Sequence, residues 1–394
     1  MDVKPSQRAA SVKTSPTLAV AAEAAALARA GREILNLAAG QPDFATPAHV
    51  KAAAIAALDA EFTKYTEVDG TPELKAAILR KFARDNGLHF KPEHLLVSCG
   101  GKHSLYNLMQ ALLNEDDEVL IPAPYWVSYP DMARLAGADP VIIRTKFKQH
   151  FKITPEQLRG ALGPRSRLLI LNSPGNPSGA VYSHRELEAL GAVLLEFPEV
   201  IVVSDDIFEH VRWNGDDFVN ILNAVPRLHE RTVIVNGVSK AYGMAGWRIG
   251  YAAGPAPLIA AMKRIQSQST SNPTSIAQAA TCAALDGDQA FLGERNEEYR
   301  RRHDFVLREL ALIRGVDVHP AEGSFFVFPD MRGVIDRRGD IDDDVALAEL
   351  LLEQVGVAVV PGAAFGTPDC LRLSLAAPMD VLREALARMR KLLA

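Results

Sequence analysis

Three kinds of side chain that can do chemistry lie just after short apolar runs: an amine, a carboxylate and an amide. They are Lys240, which comes after residues 232–235, Asp205, which comes after residues 200–203, and Asn176, which comes after residues 168–171. A lysine amine can form a Schiff base with a carbonyl group. A carboxylate can pair with a pyridinium nitrogen, and an amide can donate to a phenolate oxygen. Singly, each residue has a plainer explanation (a surface lysine, a helix N-cap, a rigid turn), but together they indicate a site for a charged aromatic ring.

A second group of residues is suited to binding an anion. Gly100-Gly101 follows the apolar run 95–97 and precedes a helical pattern. Backbone N–H groups at the start of a helix attract negative charge, and glycines let an anion come close to them. Ser239 and Arg248 add a hydroxyl and a guanidinium that can contact a phosphate. A glycine pair alone could be a tight turn, but beside these two side chains it indicates a phosphate site.

A buried parallel sheet would bring these residues together. Short β-rich runs occur at 95–97, 119–121, 141–143, 168–171, 200–203 and 232–235. They are almost continuously apolar, as expected for strands that are buried on both faces of a mainly parallel sheet. Helical spacing, as in Leu105, Leu108 and Leu112, lies between them, so we predict an α/β fold with helices on both faces. Ligands of such sheets bind beyond the carboxyl ends of the strands.

The pattern changes towards the C-terminus. An Arg- and Glu-rich helix at 297–312 precedes apolar runs at 325–328, 357–360 and 371–375, with further helices around 346–352 and at the end of the chain. This mixture predicts a smaller α+β unit. Near the N-terminus, Leu18, Ala22, Ala25 and Leu27 predict one amphipathic helix that packs on the same unit. We therefore predict an N-terminal segment 1–48, a large domain 49–295 and a small domain 296–394 built from both termini.

The composition excludes several classes of protein. The 394 residues include 43 Lys plus Arg and 48 Asp plus Glu, a net charge of −5, without the basic surface of a nucleic-acid binder. Cys99, Cys282 and Cys370 form no CxxC pair and the histidines form no HxxxH pair, so we predict no metal site. Since no run approaches the roughly 18 apolar residues of a membrane span, we expect a cytoplasmic protein.

Motifs along nearly the whole chain resemble those of one family. They are Ala39-Gly40-Gln41-Pro42-Asp43-Phe44, Thr63-Lys64-Tyr65-Thr66, Pro122-Ala123-Pro124-Tyr125-Trp126-Val127-Ser128-Tyr129-Pro130, residues 173–179, Ser239-Lys240, Gly246-Trp247-Arg248-Ile249-Gly250-Tyr251 and Arg372-Leu373-Ser374. In this order they resemble the class I, fold type I, pyridoxal-phosphate aminotransferases, and in particular the bacterial aspartate and aspartate/prephenate branch.

The resemblance implies a role for each residue of the cofactor site. Lys240 forms the Schiff base with pyridoxal 5′-phosphate and moves the proton at the substrate Cα. Asp205 keeps the pyridine nitrogen protonated, Trp126 stacks on the ring and Asn176 donates to the ring oxygen. Phosphate is bound by Gly101, the backbone of Lys102, Ser239 and Arg248, while Tyr65 reaches the phosphate of the partner subunit in a homodimer.

For the substrate, the resemblance assigns the α-carboxylate to Arg372, assisted by the backbone of Gly40, with Trp126 and Asn176 also lining the site. The local pattern agrees, because Leu371, Leu373 and Leu375 alternate with Arg372 along a strand. Candidates for a distal carboxylate are Lys13, Ser15, Thr17, Thr66, Lys102 and Lys146. We expect transfer between aspartate or glutamate and 2-oxoglutarate or oxaloacetate, with prephenate as a further acceptor.

Two other functions fit the same fold: transamination of aromatic or neutral amino acids, and another pyridoxal-phosphate reaction such as β-elimination. A regulator that uses the fold as a ligand sensor would need an attached DNA-binding domain, and fewer than forty residues precede Gly40. The sequence also departs from the family. Phe208 stands where the family has a tyrosine that donates to the ring oxygen, Gln41 stands for a frequent Glu, and Gly237 replaces a frequent phosphate-binding serine.

Overall fold

The computed structural model describes residues 3–12, 14 and 16–394. Its strands, in chain order, are β1 Leu35–Asn36, β2 Leu95–Ser98, β3 Glu118–Ala123, β4 Asp139–Arg144, β5 Ser166–Asn172, β6 Ile201–Asp205, β7 Thr232–Gly237, β8 Gly250–Ala253, β9 Phe326–Val327, β10 Val357–Ala358, β11 Val360–Pro361 and β12 Leu371–Ser374. The helices are α1 Gln7–Ala10, α2 Pro16–Arg29, α3 Ala48–Asp59, α4 Pro72–Lys81, α5 Gly101–Leu112, α6 Ser128–Leu135, α7 Pro155–Ala161, α8 His184–Leu194, α9 Ile221–Ala224, α10 Ala256–Ser267, α11 Ser275–Asp286, α12 Ala290–Leu310, α13 Arg332–Ile335, α14 Asp344–Val355 and α15 Met379–Leu393.

The central sheet has the strand order β2-β8-β7-β6-β5-β3-β4. The run from β7 to β4 is parallel, whereas β8 is antiparallel to both of its neighbours. The predicted α/β fold with a mainly parallel sheet is confirmed. Strand β8 was not predicted, because Gly250, Ala252 and Ala253 give a short run with little β-propensity.

Each face of the sheet contributes to a separate apolar core. Adjacent residues of β5 point in opposite directions, so that Leu168 belongs to one buried cluster and Leu169 to the other. Helices α5, α6 and α10 cover the first cluster, with Leu105, Met132 and Met262 fully or almost fully buried in it. Burying apolar surface at about 25 cal/mol per Å² on both faces holds the strand ends rigidly in place.

A smaller unit surrounds the antiparallel sheet β11-β12-β9 and the parallel pair β1-β10. The predicted run 357–360 is therefore divided between two sheets, since β10 pairs with β1 and β11 pairs with β12. The pairing of β1 with β10 brings residues 35–36 to this unit. Helix α12 runs across the predicted boundary between residues 295 and 296, and the domain bounds stay a prediction.

The N-terminal helix forms where it was predicted, but most of the predicted apolar face is exposed. Of its four residues Leu27 packs against the core, beside Val20 and the buried Ala24, whereas Leu18, Ala22 and Ala25 are exposed. These three positions were wrong because small alanines occupy most positions of α2 and leave the apolar period poorly defined. Among the described helices, none is both long and apolar enough to cross a membrane.

Candidate active site

A cavity of about 260 Å³ opens at the carboxyl ends of β5, β6 and β7. Most of the residues predicted to bind cofactor or substrate line it: Gly40, Gly101, Lys102, Trp126, Asn176, Asp205, Ser239, Lys240, Arg248 and Arg372. Thr17, Asn172 and Phe208 line it as well. Tyr65 lies outside it and is 92% exposed, and Lys13 and Ser15 fall outside the described residues. The sheet thus brings together residues that are far apart in sequence.

Lys240 follows β7 in a tight turn that directs its amine into the cavity. Its Nζ donates a hydrogen bond to the Gly40 carbonyl at 2.6 Å. Burial and the nearby Arg372 guanidinium lower the pKa of Lys240 to about 8, although the Asp205 carboxylate opposes the shift. A larger fraction of this amine is therefore neutral near physiological pH than of an ordinary lysine.

Asp205 is the last residue of β6, and its carboxyl group is buried. Burial raises the pKa of Asp205 to about 6, while hydrogen bonds from the Tyr129 hydroxyl and the Ile207 N–H and the charge of Lys240 act in the opposite direction. The Tyr129 hydroxyl donates to Asp205 Oδ2 at 2.5 Å. The sequence reasoning missed Tyr129. The available signal was its place three residues after Trp126, in the turn that leads into α6, where the two rings meet edge-to-face at 5.4 Å.

Arg372 lies in β12 and is 1% exposed. Its Nη1 donates to Asn176 Oδ1 at 3.1 Å and its Nη2 to the Ala38 carbonyl at 2.8 Å. Among the described residues no carboxylate pairs with it, and its Nε has no partner. Burial lowers the pKa of Arg372, but a guanidinium stays protonated at neutral pH. A buried cation of this kind favours binding of an anionic group.

Asn172 is a second residue that the sequence reasoning did not single out. Its Nδ2 donates to the Asp205 carbonyl at 2.9 Å, and its Oδ1 accepts from the Asn176 N–H at 2.9 Å. It therefore joins the end of β5 to the end of β6 and fixes the turn that carries Asn176. The signal was its position as the last residue of β5, directly before the Pro- and Gly-rich turn.

The opposite end of the cavity is built for an anion. Helix α5 begins at Gly101, and Gly100 before it has φ 95°. A Cβ on Gly100 would come within 2.3 Å of Arg248 Nη2, and a Cβ on Gly250 within 2.1 Å of the Gly101 nitrogen. Glycines at positions 100 and 250 therefore keep the space before α5 open. The N–H groups at the start of α5, Arg248 and Ser239 border this space. The donor set fits a phosphate group.

The surroundings of two residues that depart from the family pattern, Phe208 and Gly237, are well defined. Phe208 is buried, with its ring edge-to-face on Phe325 at 5.3 Å and on Phe326 at 6.0 Å. A Cβ on Gly237 would lie 2.9 Å from the Ile249 carbonyl oxygen, so the contact between β7 and β8 excludes a serine there.

The chain matches the family described as aminotransferase class I and II over residues 32–389. It is 52% identical to the aspartate/prephenate aminotransferase of Nitrosomonas europaea, over 99% of this chain and 100% of that protein. The aspartate aminotransferase of Geobacillus stearothermophilus is 46% identical over 99% of this chain and 98% of its own. Among solved structures, the Rhizobium meliloti aspartate aminotransferase has a TM-score of 0.96 at 46% identity, covering 99% and 98% of the two chains. The Thermus thermophilus enzyme, solved with maleate, has a TM-score of 0.93 at 43% identity, covering 99% and 100%.

The fold, the cavity and these relatives define a class of protein: a fold type I enzyme that works with pyridoxal 5′-phosphate. The chain belongs to the class I and II aminotransferase family and moves an amino group between an amino acid and a 2-oxo acid. The predicted family, fold class, reaction and cofactor are confirmed.

Proposed function

We propose that this aminotransferase acts on dicarboxylic substrates, aspartate or glutamate with oxaloacetate or 2-oxoglutarate, and that Lys240 carries the cofactor. One observation carries the proposal. Besides Arg248, which lies at the phosphate end next to Gly100, the cavity that holds the Lys240 amine is lined by two cations without a carboxylate partner among the described residues, Arg372 and Lys102. Two such charges match a substrate with two carboxylates.

The residues that would hold pyridoxal phosphate divide between the two ends of the cavity. Gly101, the Lys102 backbone, Ser239 and Arg248 would bind its phosphate, while Asp205, Asn176 and Trp126 would contact its ring. When bound, the cofactor supplies a carbonyl for the substrate amine and an electron-withdrawing ring that stabilises negative charge at Cα. The protein supplies binding, orientation and proton transfer.

Two residues would handle protons. With its lowered pKa, the Lys240 amine is partly neutral near pH 7, so it can act as a nucleophile and then accept or return the proton at the substrate Cα. Asp205 would meet a protonated ring nitrogen. A buried carboxylate without a cation is destabilised, and a pyridinium would supply the missing charge. Tyr129 would hold that carboxylate in place through its hydroxyl.

The substrate would be held by its α-carboxylate at Arg372. The guanidinium fork suits a carboxylate, and hydrogen bonds to Asn176 and Ala38 already fix its plane. Because every amino acid has this carboxylate, Arg372 contributes affinity but no selectivity.

Selectivity would come from Lys102, whose Nζ lies 4.9 Å from the centre of the Trp126 ring. Thr17 also lines the cavity, and its hydroxyl has no partner among the described residues. Thr66 and Lys146 do not line the cavity, which argues against them, and Lys13 stays a prediction. The maleate bound by the Thermus thermophilus relative is a dicarboxylate, in agreement with this assignment. Prephenate, named for the Nitrosomonas europaea relative, is a further acceptor that we include.

We also propose a homodimer in which Tyr65 completes the partner's phosphate site. Tyr65 is 92% exposed and follows three other exposed apolar residues in the sequence, Ile55, Leu58 and Phe62, on and just after α3. Exposed apolar side chains of this kind are suited to a subunit interface. A fully active monomer in sedimentation would contradict the proposal. The cytoplasmic location stays a prediction.

Replacing the two cations separately tests the substrate assignment. Arg372→Leu should raise KM for aspartate and alanine alike, whereas Lys102→Met should raise KM for aspartate and leave alanine unchanged. Losing a hydrogen-bonded charge contact of about 1.5–3 kcal/mol corresponds to roughly 10- to 100-fold in kcat/KM. Lys146→Met is the matched control. Equal losses for both substrates in Lys102→Met, in a panel that includes glutamate, tyrosine and prephenate, would overturn the dicarboxylate assignment.

A further inference from the structure

Residues 37–47 form an irregular loop between β1 and α3 that borders the cavity, and we call it the 37–47 loop. Gly40 in this loop accepts the hydrogen bond from Lys240, and the Ala38 carbonyl accepts the bond from Arg372. The loop therefore contacts both the amine and the guanidinium on which the proposed function depends. Backbone hydrogen bonds tie its first residue, Leu37, to Ala358 and Ser374. The rest of the loop lacks regular secondary structure, so its position depends on side chains that reach it from elsewhere.

Arg302 of α12 is one of these side chains. It is 5% exposed, and its Nη1 donates to Asp43 Oδ1 at 3.0 Å and to the Leu375 carbonyl at 2.9 Å. Leu375 directly follows β12, the strand that carries Arg372. A single guanidinium thus joins the 37–47 loop to the strand of the carboxylate-binding arginine.

A second arginine of the same helix holds the next part of the loop. Arg295 donates to the Ala45 carbonyl at 2.6 Å and to the Ala241 carbonyl at 2.8 Å, next to Lys240. Because Arg295 and Arg302 are seven residues apart, they lie on one face of α12. The Phe44 ring lies between them, 5.2 Å and 5.3 Å from their guanidinium carbons.

The charge of Arg302 is compensated within the protein and is not available to a ligand. It pairs with Asp43 at 2.9 Å and with Glu298 at 2.8 Å. The Asp43 and Glu298 side chains keep 23% and 27% of their surface exposed, so water can solvate both if the arginine is removed. The fork geometry matters as well as the charge, because a lysine cannot bridge a carboxylate and a carbonyl in fixed directions.

We infer that Arg302 is a positioning residue for substrate binding: by joining Asp43 to Leu375, it fixes the Gly40 backbone relative to Arg372. The inference rests on the proposed function, since it assumes that Gly40 and Arg372 hold the α-carboxylate. A misplacement of about 1 Å at such a site costs on the order of 100-fold in rate or affinity.

The test compares Arg302→Met and Arg302→Lys with Arg301→Met in the cofactor-loaded enzyme. Arg301 is the matched control because it also pairs with Glu298 but is exposed and does not reach the loop. In Arg302→Met we expect KM for aspartate and for alanine to rise by the same factor, about 10-fold or more, with a smaller rise in Arg302→Lys. The dissociation constant of maleate should rise in parallel, and the absorbance of the bound cofactor should stay unchanged. Arg301→Met should stay within about twofold of the parent.

A lower melting temperature of Arg302→Met with an unchanged KM would overturn the inference, as would a rise in KM for aspartate alone. If Arg302→Met does not fold, Asp43→Asn removes the same pair from its exposed end and is measured in the same way. Arg372→Leu separates the two proposals. If Arg372→Leu raises KM and Arg302→Met does not, only the inference fails. If neither variant raises KM, the proposed carboxylate site fails as well.

Discussion

Two lysines in the interior of this protein have opposite surroundings. Lys81, at the end of α4, is 1% exposed, pairs with the Glu209 carboxylate and donates to Asn86 Oδ1 at 2.8 Å. Among the described residues Lys240 donates only to the Gly40 carbonyl, and it shares its cavity with the cations Arg372, Arg248 and Lys102. The Lys81 ammonium is therefore neutralised by a carboxylate in direct contact, whereas the Lys240 amine has no such partner among the described residues.

The difference separates a structural charge from a functional one. Although burial opposes ionisation of Glu209, Lys81 and His210 keep the pKa of Glu209 below its ordinary value, as expected of a satisfied pair. In the cavity burial prevails: it lowers the pKa of Lys240 and raises the pKa of Asp205, so that the charged form of each is disfavoured. Charges that the fold leaves uncompensated are stabilised when a ligand supplies the missing partner.

The region around Lys81 also has the geometry of a small metal site. Ligand atoms of Asp85, Glu209 and His210 lie within 4.8 Å of one another. The Lys81 ammonium already occupies the Glu209 carboxylate, however, and a cation next to it would be repelled. We therefore regard this cluster as a buried ion-pair network that supports the end of β6.

The largest expected effect separates the two lysines. Lys240→Ala should lower turnover by at least about 10⁴-fold while the chain still folds, because it removes the nucleophile and the proton carrier together. Lys81→Met should lower the free energy of unfolding by about 3–5 kcal/mol, because it leaves the Glu209 charge buried without a partner. Its activity per folded molecule should be unchanged. Denaturant unfolding and turnover, measured on both variants, check the comparison.

Borohydride reduction of the loaded parent enzyme supplies the control, since it should attach the cofactor to the peptide that contains Lys240. A label on any other lysine, or full turnover in Lys240→Ala, would contradict the assignment.

Replacing a buried carboxylate should change the free energy of unfolding by a smaller amount, and the change should have opposite signs for Asp205 in the cavity and for Glu209 beside Lys81. Without a cofactor, burial raises the pKa of Asp205 from its ordinary value of 3.8 to about 6. The folded form therefore holds more protons between these values, so this contribution to stability falls as the pH rises from about 4 to about 6 and stays lost above. Asp205→Asn should raise the stability of the cofactor-free protein at pH 7 by on the order of 2–3 kcal/mol. The Tyr129 hydroxyl can still donate to the amide oxygen.

Glu209→Gln should instead lower the stability of the cofactor-free protein at pH 7. The lowered pKa of Glu209 contributes stability above its unfolded value of 4.5 that is lost as the pH falls, so removing the charge destabilises the protein at pH 7. Unfolding curves of the cofactor-free variants between pH 4 and pH 8 test both signs. Stabilisation by both substitutions, or by neither, would break the comparison between the two regions.

The pattern of apolar runs in the sequence was enough to predict the site residues that follow the ends of the strands. Lys240, Asp205 and Asn176 each follow a continuous apolar run, and the parallel sheet brings such positions to one edge. These three inferences need only the order of the strands. Arg372 was assigned through the family resemblance, with which the alternation of leucines around it in a short strand agrees.

Contacts between distant elements could not be predicted in this way. The bond from Tyr129 to Asp205 depends on how α6 sits above β6, and the pair Arg302–Asp43 spans 259 positions of the chain. Nothing in either local sequence fixes such a distance. The buried face of α2 was missed, apart from Leu27, for a different reason, since its alanines give no clear apolar stripe.

The smallest expected effect concerns Phe208, where the chain departs from its family. Phe208 lines the cavity with its ring 5.6 Å from the Lys240 amine. A hydroxyl added there could donate to the cofactor's ring oxygen, which favours the deprotonated form of the bound cofactor. A hydrogen bond to a charged group contributes about 1.5–3 kcal/mol, and about 1.4 kcal/mol is one pKa unit, so the ceiling is about one to two units. Phe208→Tyr should therefore move the visible absorbance change of the loaded enzyme to lower pH and raise activity near neutrality. Phe325→Tyr is the matched control, because Phe325 lies 5.7 Å from the same amine but does not line the cavity. An unchanged titration in a folded, loaded Phe208→Tyr variant would mean that Phe208 serves only to pack against Phe325 and Phe326.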